Sequence, residues 1–144
     1  PSTVPDLIIR AARWPEDATE LDAVRSAVFV VEQAIDPELE YDGLDATARH
    51  WLALDAGRPV GTLRLLPTGQ IGRMAVLAGW RGRGVGSALL QTALEAARAS
   101  GLGAVWLHAQ VPRIGFYERV GFVASGPEFD DAGIPHRQMD LDLD

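Results

Sequence analysis

The 144-residue chain contains no cysteine and no lysine. The lack of cysteine excludes thiol nucleophiles, disulfides and cysteine metal sites. The lack of lysine excludes a Walker-type phosphate loop and any Schiff-base mechanism. All 13 basic residues are therefore arginine, and the net charge of −7 makes nucleic acid a poor partner.

Long apolar runs and clustered metal ligands are also absent from the sequence. No run approaches the ~18 residues that a membrane-spanning helix needs, and no signal segment opens the chain. The start at Pro1-Ser2-Thr3 indicates loss of an initiator methionine, so we predict a cytoplasmic protein with no membrane partner. The three histidines are scattered without His-x-His or His-x₃-His spacing, and no metal is predicted.

The length and the hydrophobic fraction of 47% fit a single domain over residues 1–144. Apolar periodicity predicts helices over 18–33, 85–100 and 113–120, and a loop over 34–46. A strand, turn, helix and strand over 70–110 form a parallel crossover unit, preceded by an antiparallel hairpin. The fold class is therefore α/β (α+β), a mixed sheet of about seven strands with helices on both faces. The predicted strands are 7–12, 49–55, 60–66, 70–77, 104–109, a strand from 121–123 onward, and 134–143.

The segment Arg81-Gly82-Arg83-Gly84-Val85-Gly86 predicts an anion site. Its glycines let backbone N–H groups approach a ligand, and the following helix adds free N–H groups and a positive dipole end. A pyrophosphate is the most natural occupant. A dinucleotide-binding turn fits poorly, because the third glycine falls one position early and no acid follows the next strand at Gln110.

The same segment fits the [Arg/Gln]-x-x-Gly-x-[Gly/Ala] signature of the GCN5-related N-acetyltransferase (GNAT) family, which the chain resembles. The ordered set of motifs covers nearly the whole chain and is similar to the ElaA-type branch of that family. The segments that carry this resemblance are 28–33, 42–45, 49–50, 73–76, 81–86, 116–122 and 133–136.

The resemblance implies a GNAT fold with splayed central parallel strands, and acetyl-CoA as co-substrate. It also implies that the N–H groups of 83–87 hold the pyrophosphate and that the strand before the loop binds the pantetheine arm. Residues 107–110 would line the other side of that wedge. The implied cofactor-binding residues are Met74, Ala75, Val76, Arg81, Gly82, Arg83, Gly84, Val85, Gly86, Ser87 and Gln110.

The implied reaction is direct attack of an amine on the thioester, with departure of the CoA thiolate. Tyr117 occupies the family's position for the general acid that protonates this sulfur. The acceptor amine is harder to activate, because removing a proton from an ammonium with a pKa of ~10.4 at pH 7 costs about 4–5 kcal/mol.

The general base is left open, because the strand 70–73 lacks the glutamate that many family members carry there. The candidates are Glu32, Asp45, His50 and His136, while His108 is expected in the sheet core. Glu32 follows an apolar run, whose burial would raise its pKa. The loop 34–46 carries acids and no base, so it is either solvated or attracts a cationic acceptor.

The predicted activity is N-acetyl transfer to a primary amine of a small-molecule acceptor. Two alternatives stay open at this point: a non-catalytic acyl-CoA sensor, and an acyl-homoserine-lactone-synthase-like acyltransferase. The last strand could also pair between subunits and form a homodimer.

Overall fold

The computed structural model, which describes residues 3–144, shows a seven-stranded mixed sheet with the order β1-β2-β3-β4-β5-β7-β6. All neighbouring strands are antiparallel except β4 and β5, which are parallel. The predicted α/β class and mixed sheet are confirmed. The strands are β1 Leu7–Ala12, β2 Arg49–Asp55, β3 Arg58–Leu65, β4 Gln70–Val76, β5 Ala104–Gln110, β6 Val123–Asp131 and β7 Ile134–Asp142.

The helix predicted over 18–33 exists, but it changes type halfway. Regular α-helix ends at Arg25, and the β-branched stretch that follows is a π-helix, whose last N–H donor, Gln33, bonds to the carbonyl of Val28. A short helix inside the predicted loop was missed; Asp36 caps it by accepting from the N–H of Glu38. The helices are α1 Ala18–Arg25, the π-helix Ser26–Glu32, α2 Pro37–Glu40, α3 Val85–Ala99 and α4 Ile114–Glu118.

Helices pack on both faces of the sheet and so set the position of the site. On one face, α3 buries Leu89, Leu90 and Leu94 in the main core. It can approach β3 closely because Gly61 lacks a side chain; a Cβ there would lie 2.9 Å from Leu89 Cδ1. On the other face, Val28 packs with residues of α1 and β4, which holds the π-helix over β4.

The parallel strands β4 and β5 separate soon after they meet. They pair only at Gln70 with Trp106 and at Ile71 with Leu107. Just beyond, Arg73 has a positive φ of 47°, next to the glycine where irregular backbone was expected. The main chain of β4 therefore bulges and a cavity opens between the two strands.

Candidate active site

The gap between β4 and β5 leads into a cavity of about 820 Å³. Its walls come from β4, the end of β5, the glycine loop before α3, the π-helix with α2, and α4. Most of the residues predicted to bind the cofactor lie in this lining, and the side chain of Arg83 is the exception. Those in the lining are Met74, Ala75, Val76, Arg81, Gly82, Gly84, Val85, Gly86, Ser87 and Gln110.

The glycine loop has the backbone geometry of an anion cradle. Gly82 and Gly84 have φ values of 71° and 83°, the left-handed region that favours glycine. Gly84 is the N-cap of α3 and provides no side-chain cap, so the first N–H groups of the helix remain available to a ligand. A Cβ on Gly84 would meet nothing within 4 Å. The cradle is therefore open for the oxygens of a phosphate group.

Gly86 has a different role in the same loop, because it allows close packing. A Cβ at Gly86 would lie 3.3 Å from Met74 Cε and 3.7 Å from Phe116 Cζ. The start of α3 is thus pressed against both β4 and α4. This contact joins the anion cradle to the strand and the helix that carry the other site residues.

Arg81 is held between β4 and the π-helix. Its Nε donates to the carbonyl of Val76 at 2.9 Å, and its two terminal nitrogens pair with both carboxylate oxygens of Glu32. The hydrogen bonds from this guanidinium lower the pKa of Glu32, and burial opposes the shift. The raised pKa predicted from the apolar run is therefore wrong, because the carboxylate turns out toward an arginine and keeps 41% of its surface exposed.

The second arginine of the loop, Arg83, turns its side chain away from the cavity. Its guanidinium reaches the carbonyls of Gly79 and Thr3, each at 3.5 Å. Only the main chain of Arg83 is therefore placed to serve an anion at the loop.

Tyr117 on α4 faces β4 across the cavity. Its hydroxyl lies 3.8 Å from the sulfur of Met74, and its ring makes edge contacts with Phe116 and Phe122. Burial raises the pKa of Tyr117 to about 12, with Arg113 opposing this slightly. The phenol is therefore neutral at pH 7 and has a proton to donate.

His136 on β7 also lies in the cavity wall and is nearly buried. Its Nδ1 lies 2.7 Å from the carbonyl of Ile134, which can only accept, so Nδ1 carries the proton. In the neutral ring Nε2 is then an acceptor. His108 lies on β5 between the rings of Trp106 and Phe129 and contacts Gln138. It is half-buried and lines the cavity, so the expected position in the sheet core is wrong.

His50 and Asp45, two further base candidates, lie together inside the protein and not in the cavity lining. His50 donates from Nε2 to the main-chain carbonyl of Asp45 at 2.8 Å, and its Nδ1 faces Arg25 at 3.3 Å. Burial lowers the pKa of His50. Arg25, whose side chain is 1% exposed, bonds to the Asp45 carboxylate at 3.0 Å. These groups form a buried ionic cluster that ties α1 to the sheet.

Three of the five acids of the segment 34–46 lie within 3.6 Å of an arginine, and these are Glu40, Asp42 and Asp45. Arg64 on β3 holds Asp42 through two bonds of 2.9 and 2.7 Å. Burial opposes ionisation of Asp42, yet these bonds and the N–H of Leu44 lower its pKa to about 2. Arg73 on the β4 bulge donates twice to the main-chain carbonyl of Glu40. Arginines thus neutralise Asp42 and Asp45, whereas Asp36 and Glu38 are exposed to solvent.

Sequence reasoning missed Glu40, Arg64 and Arg73 as residues of the cavity wall. A signal for them did exist. Arginines inside strand patterns must be paired when the strand is buried, and the acidic segment was the richest source of partners. The wall also includes Phe29 and Gln33 of the π-helix region; Gln33 exchanges two amide hydrogen bonds with Gln110.

Within residues 3–144 no helix is long and apolar enough to cross a membrane. Over the same range, no three carboxylates or histidines gather in a way that would bind a metal ion.

The structure combines a seven-stranded sheet with splayed central strands, a glycine loop before α3, and Tyr117 in the same cavity wall. This combination is typical of an acyltransferase class. The sequence model for the acetyltransferase (GNAT) domain matches residues 16–143, and the chain belongs to this family. The family transfers acyl groups from acyl-CoA, which makes the chain an acyltransferase.

Named relatives agree with this assignment. The chain is 38% identical over 132 residues to YjcF, an uncharacterized N-acetyltransferase of Bacillus subtilis, and the match covers 89% of this chain and 94% of that one. An acyl-CoA N-acyltransferase structure from Pseudomonas aeruginosa has a TM-score of 0.82 and 33% identity, covering 93% of this chain and 98% of its own. The structure of Escherichia coli ElaA has a TM-score of 0.83 and 29% identity, with the same coverage of 93% and 98%. The ElaA-type resemblance is thus confirmed.

Proposed function

We propose that this chain transfers the acetyl group of acetyl-CoA to a primary amine of a small-molecule acceptor. The observation that carries the proposal is one cavity, whose wall contains both the glycine loop of the anion cradle and Tyr117. The cytoplasmic location and the homodimer predicted from the sequence remain predictions.

The donor half of the cavity suits CoA. The N–H groups of 83–87 would hold the pyrophosphate, and the open left-handed glycines leave room for it. Met74, Ala75 and Val76 lie in the wall where β4 leaves β5, and their main-chain groups lack a β5 partner there. They are the proposed hydrogen-bonding edge for the pantetheine arm, with Gln110 on the opposite side.

In the proposed reaction the amine nitrogen attacks the thioester carbonyl, the C–S bond breaks, and Tyr117 protonates the leaving sulfur. The phenol keeps its proton before the reaction because its pKa is about 12. A thiolate that leaves within the same apolar wall is also more basic than in water, since burial disfavours its charge. The pKa difference between the Tyr117 phenol and the leaving thiol is therefore smaller than it would be for a thiolate in water.

Among the base candidates predicted from the sequence, His136 is the better placed. Its Nε2 is an acceptor in the neutral ring, and the ring lies in the cavity wall. Glu32 also lies in the wall, but its carboxylate is engaged by Arg81. Both stay proposals for the amine side, with His136 preferred of the two.

The test is thiol release from acetyl-CoA across a panel of primary amines, with mass detection of the acetylated product. We expect Tyr117→Phe to lower kcat by about 10²-fold or more, the scale of general acid catalysis, with acetyl-CoA affinity nearly unchanged. Tyr41→Phe is the matched control, because Tyr41 is 66% exposed and lies outside the cavity lining.

Three outcomes would count against the proposal. Equal turnover in Tyr117→Phe and the wild type would remove Tyr117 from the chemistry. Tight acetyl-CoA binding without transfer to any amine would favour the acyl-CoA sensor, and a requirement for an acyl-carrier protein would favour the lactone-synthase alternative.

A further inference from the structure

The amine side needs a group that both attracts an ammonium and takes its proton. The cavity lining within residues 3–144 contains several groups that can accept a proton, and few of them are uncommitted. Glu32 is held by Arg81 and Asp42 by Arg64. The complete set of carboxylates and imidazoles in the lining is Glu32, Glu40, Asp42, Asp131, His108 and His136.

Glu40, at the end of α2, differs from these carboxylates in its surroundings. Its side chain is 17% exposed, and its Oε1 is buried without a hydrogen-bond partner in the described chain. The nearest cation, Arg73, bonds to the main-chain carbonyl of Glu40, while its Nε lies 3.6 Å from Oε1. The backbone is thus fixed to the β4 bulge, and the carboxylate is left short of hydrogen-bond donors.

Glu40 lies in the same cavity wall as Tyr117. Arg73 directly precedes Met74, whose sulfur touches the Tyr117 hydroxyl at 3.8 Å. This part of β4 thus contacts Glu40 through Arg73 and Tyr117 through Met74. The transfer requires a proton acceptor and a proton donor in one cavity, and Glu40 and Tyr117 both line it.

We infer that Glu40 binds the ammonium group of the acceptor and takes its first proton, which selects cationic primary amines as substrates. This inference rests on the proposed function. It assigns the amine side to Glu40 ahead of His136, because a neutral imidazole supplies no charge to hold an ammonium. Because Oε1 is closed to solvent, an ammonium N–H would donate to the other oxygen of the Glu40 carboxylate.

The electrostatic surroundings support a proton-accepting role. Burial raises the pKa of Glu40, which makes the carboxylate a stronger base than an exposed one. Arg73 on β4 and Arg25 on α1 oppose this rise, whereas Asp22 on α1 and Asp45 reinforce it.

The step balances as follows. The ammonium gives one proton to the Glu40 carboxylate, and the freed nitrogen pair forms the C–N bond to the acetyl carbon. The C–S bond breaks with its electron pair on sulfur, which takes the proton of Tyr117. The tyrosinate regains a proton that the new amide nitrogen sheds, and Glu40 returns its proton to solvent.

The experiment compares Glu40→Gln, Glu40→Asp and His136→Gln with the wild type, using acetyl-CoA and two acceptors. One acceptor is an alkylamine such as phenethylamine, which is protonated at pH 7. The other is hydroxylamine, which is largely neutral there, with the enzyme-free rate subtracted. Glu38→Gln is the control, because Glu38 is exposed on the same short helix and lies outside the cavity lining.

We expect Glu40→Gln to lower kcat/KM for the alkylamine by about 10²-fold or more and to remove the acid limb of its pH profile. The loss with hydroxylamine should be at least tenfold smaller, and Glu40→Asp should restore part of the alkylamine rate. The Kd of acetyl-CoA, measured by calorimetry, should stay within about twofold, because a donor site at the cradle does not involve Glu40.

Three results would overturn the inference. One is an equal loss with both acceptors, which indicates a structural role only. Another is an alkylamine pH profile in Glu40→Gln identical to that of Glu38→Gln. The third is loss of the acid limb in His136→Gln alone. Failure of the wild type to acetylate any amine would instead overturn the proposed function, on which the inference depends.

Discussion

Glu32 lies in the cavity wall beside Arg81 of the glycine loop. The variant Glu32→Gln separates two roles for this carboxylate, which are competition with the CoA pyrophosphate for Arg81 and general base catalysis. In the structure its carboxylate accepts from both terminal nitrogens of Arg81, one of them at 2.6 Å. Arg81 opens the glycine loop and is proposed to help bind the pyrophosphate. A CoA pyrophosphate would therefore compete with Glu32 for the same guanidinium.

The expected size of this competition follows from exposure. The Arg81 and Glu32 side chains are 29% and 41% exposed, which makes them a surface pair. Such pairs contribute about 0.2–1 kcal/mol, because water and salt screen the charges. Loss of the competitor should then tighten acetyl-CoA binding by at most about fivefold. Since the carboxylate is already engaged, kcat should change by less than about twofold.

The assays are calorimetric titration with acetyl-CoA and steady-state thiol release with an amine that the wild type accepts. Glu95→Gln is the control, because Glu95 lies on the exposed face of α3. Raising the salt concentration should shrink the difference in affinity between Glu32→Gln and the wild type. A fall in kcat of about 10²-fold, with loss of the acid limb of the pH profile, would refute this reasoning and make Glu32 the base.

Two further predictions concern stability, one at the buried ionic cluster and one at Asp42. Arg25→Ala leaves the buried carboxylate of Asp45 with one arginine fewer, so urea unfolding should show a loss of about 3–5 kcal/mol in the free energy of unfolding. The control Arg98→Ala, on the exposed face of α3, should cost little. Similar losses in both variants would contradict this prediction. The pKa of Asp42 falls from 3.8 in the unfolded chain to about 2 in the fold, so its contribution is complete above about pH 5 and is lost as pH falls through 2. Solvent screens the partly exposed side chain, so the difference in unfolding free energy between the wild type and Asp42→Asn should shrink by about 1–2 kcal/mol as the pH falls from about 5 to 2. If stability changed with pH equally in both proteins, the lowered pKa of Asp42 would be excluded.

The prediction for the donor half of the site came from local patterns. The glycine spacing of 81–86 determines where left-handed backbone and free N–H groups occur, and these depend on few neighbours. The irregular backbone expected at Gly72 also appears, one residue later at Arg73. The position of Tyr117 came from the family resemblance, and the structure places its hydroxyl beside β4.

The acceptor half was harder to predict because it depends on contacts between residues far apart in the chain. The environment of Glu32 was misjudged because its partner, Arg81, lies 49 positions away in sequence. The role of Glu40 was hidden for the same reason, since Arg73 lies 33 positions along the chain. A carboxylate's pKa depends on what surrounds it in space, and sequence neighbours alone do not supply this.

The sequence by itself thus determined the fold class and the family, and it predicts where the cofactor's phosphates would bind, because all three depend on the order and spacing of short motifs. Only the tertiary structure decided which carboxylates are neutralised and which is left for the acceptor. Arg25, Arg64 and Arg73 come from three different elements and converge on one acidic segment. Their geometry leaves Glu40 short of hydrogen-bond donors, since two of the Arg73 hydrogen bonds go to the main chain of Glu40 and none to its carboxylate.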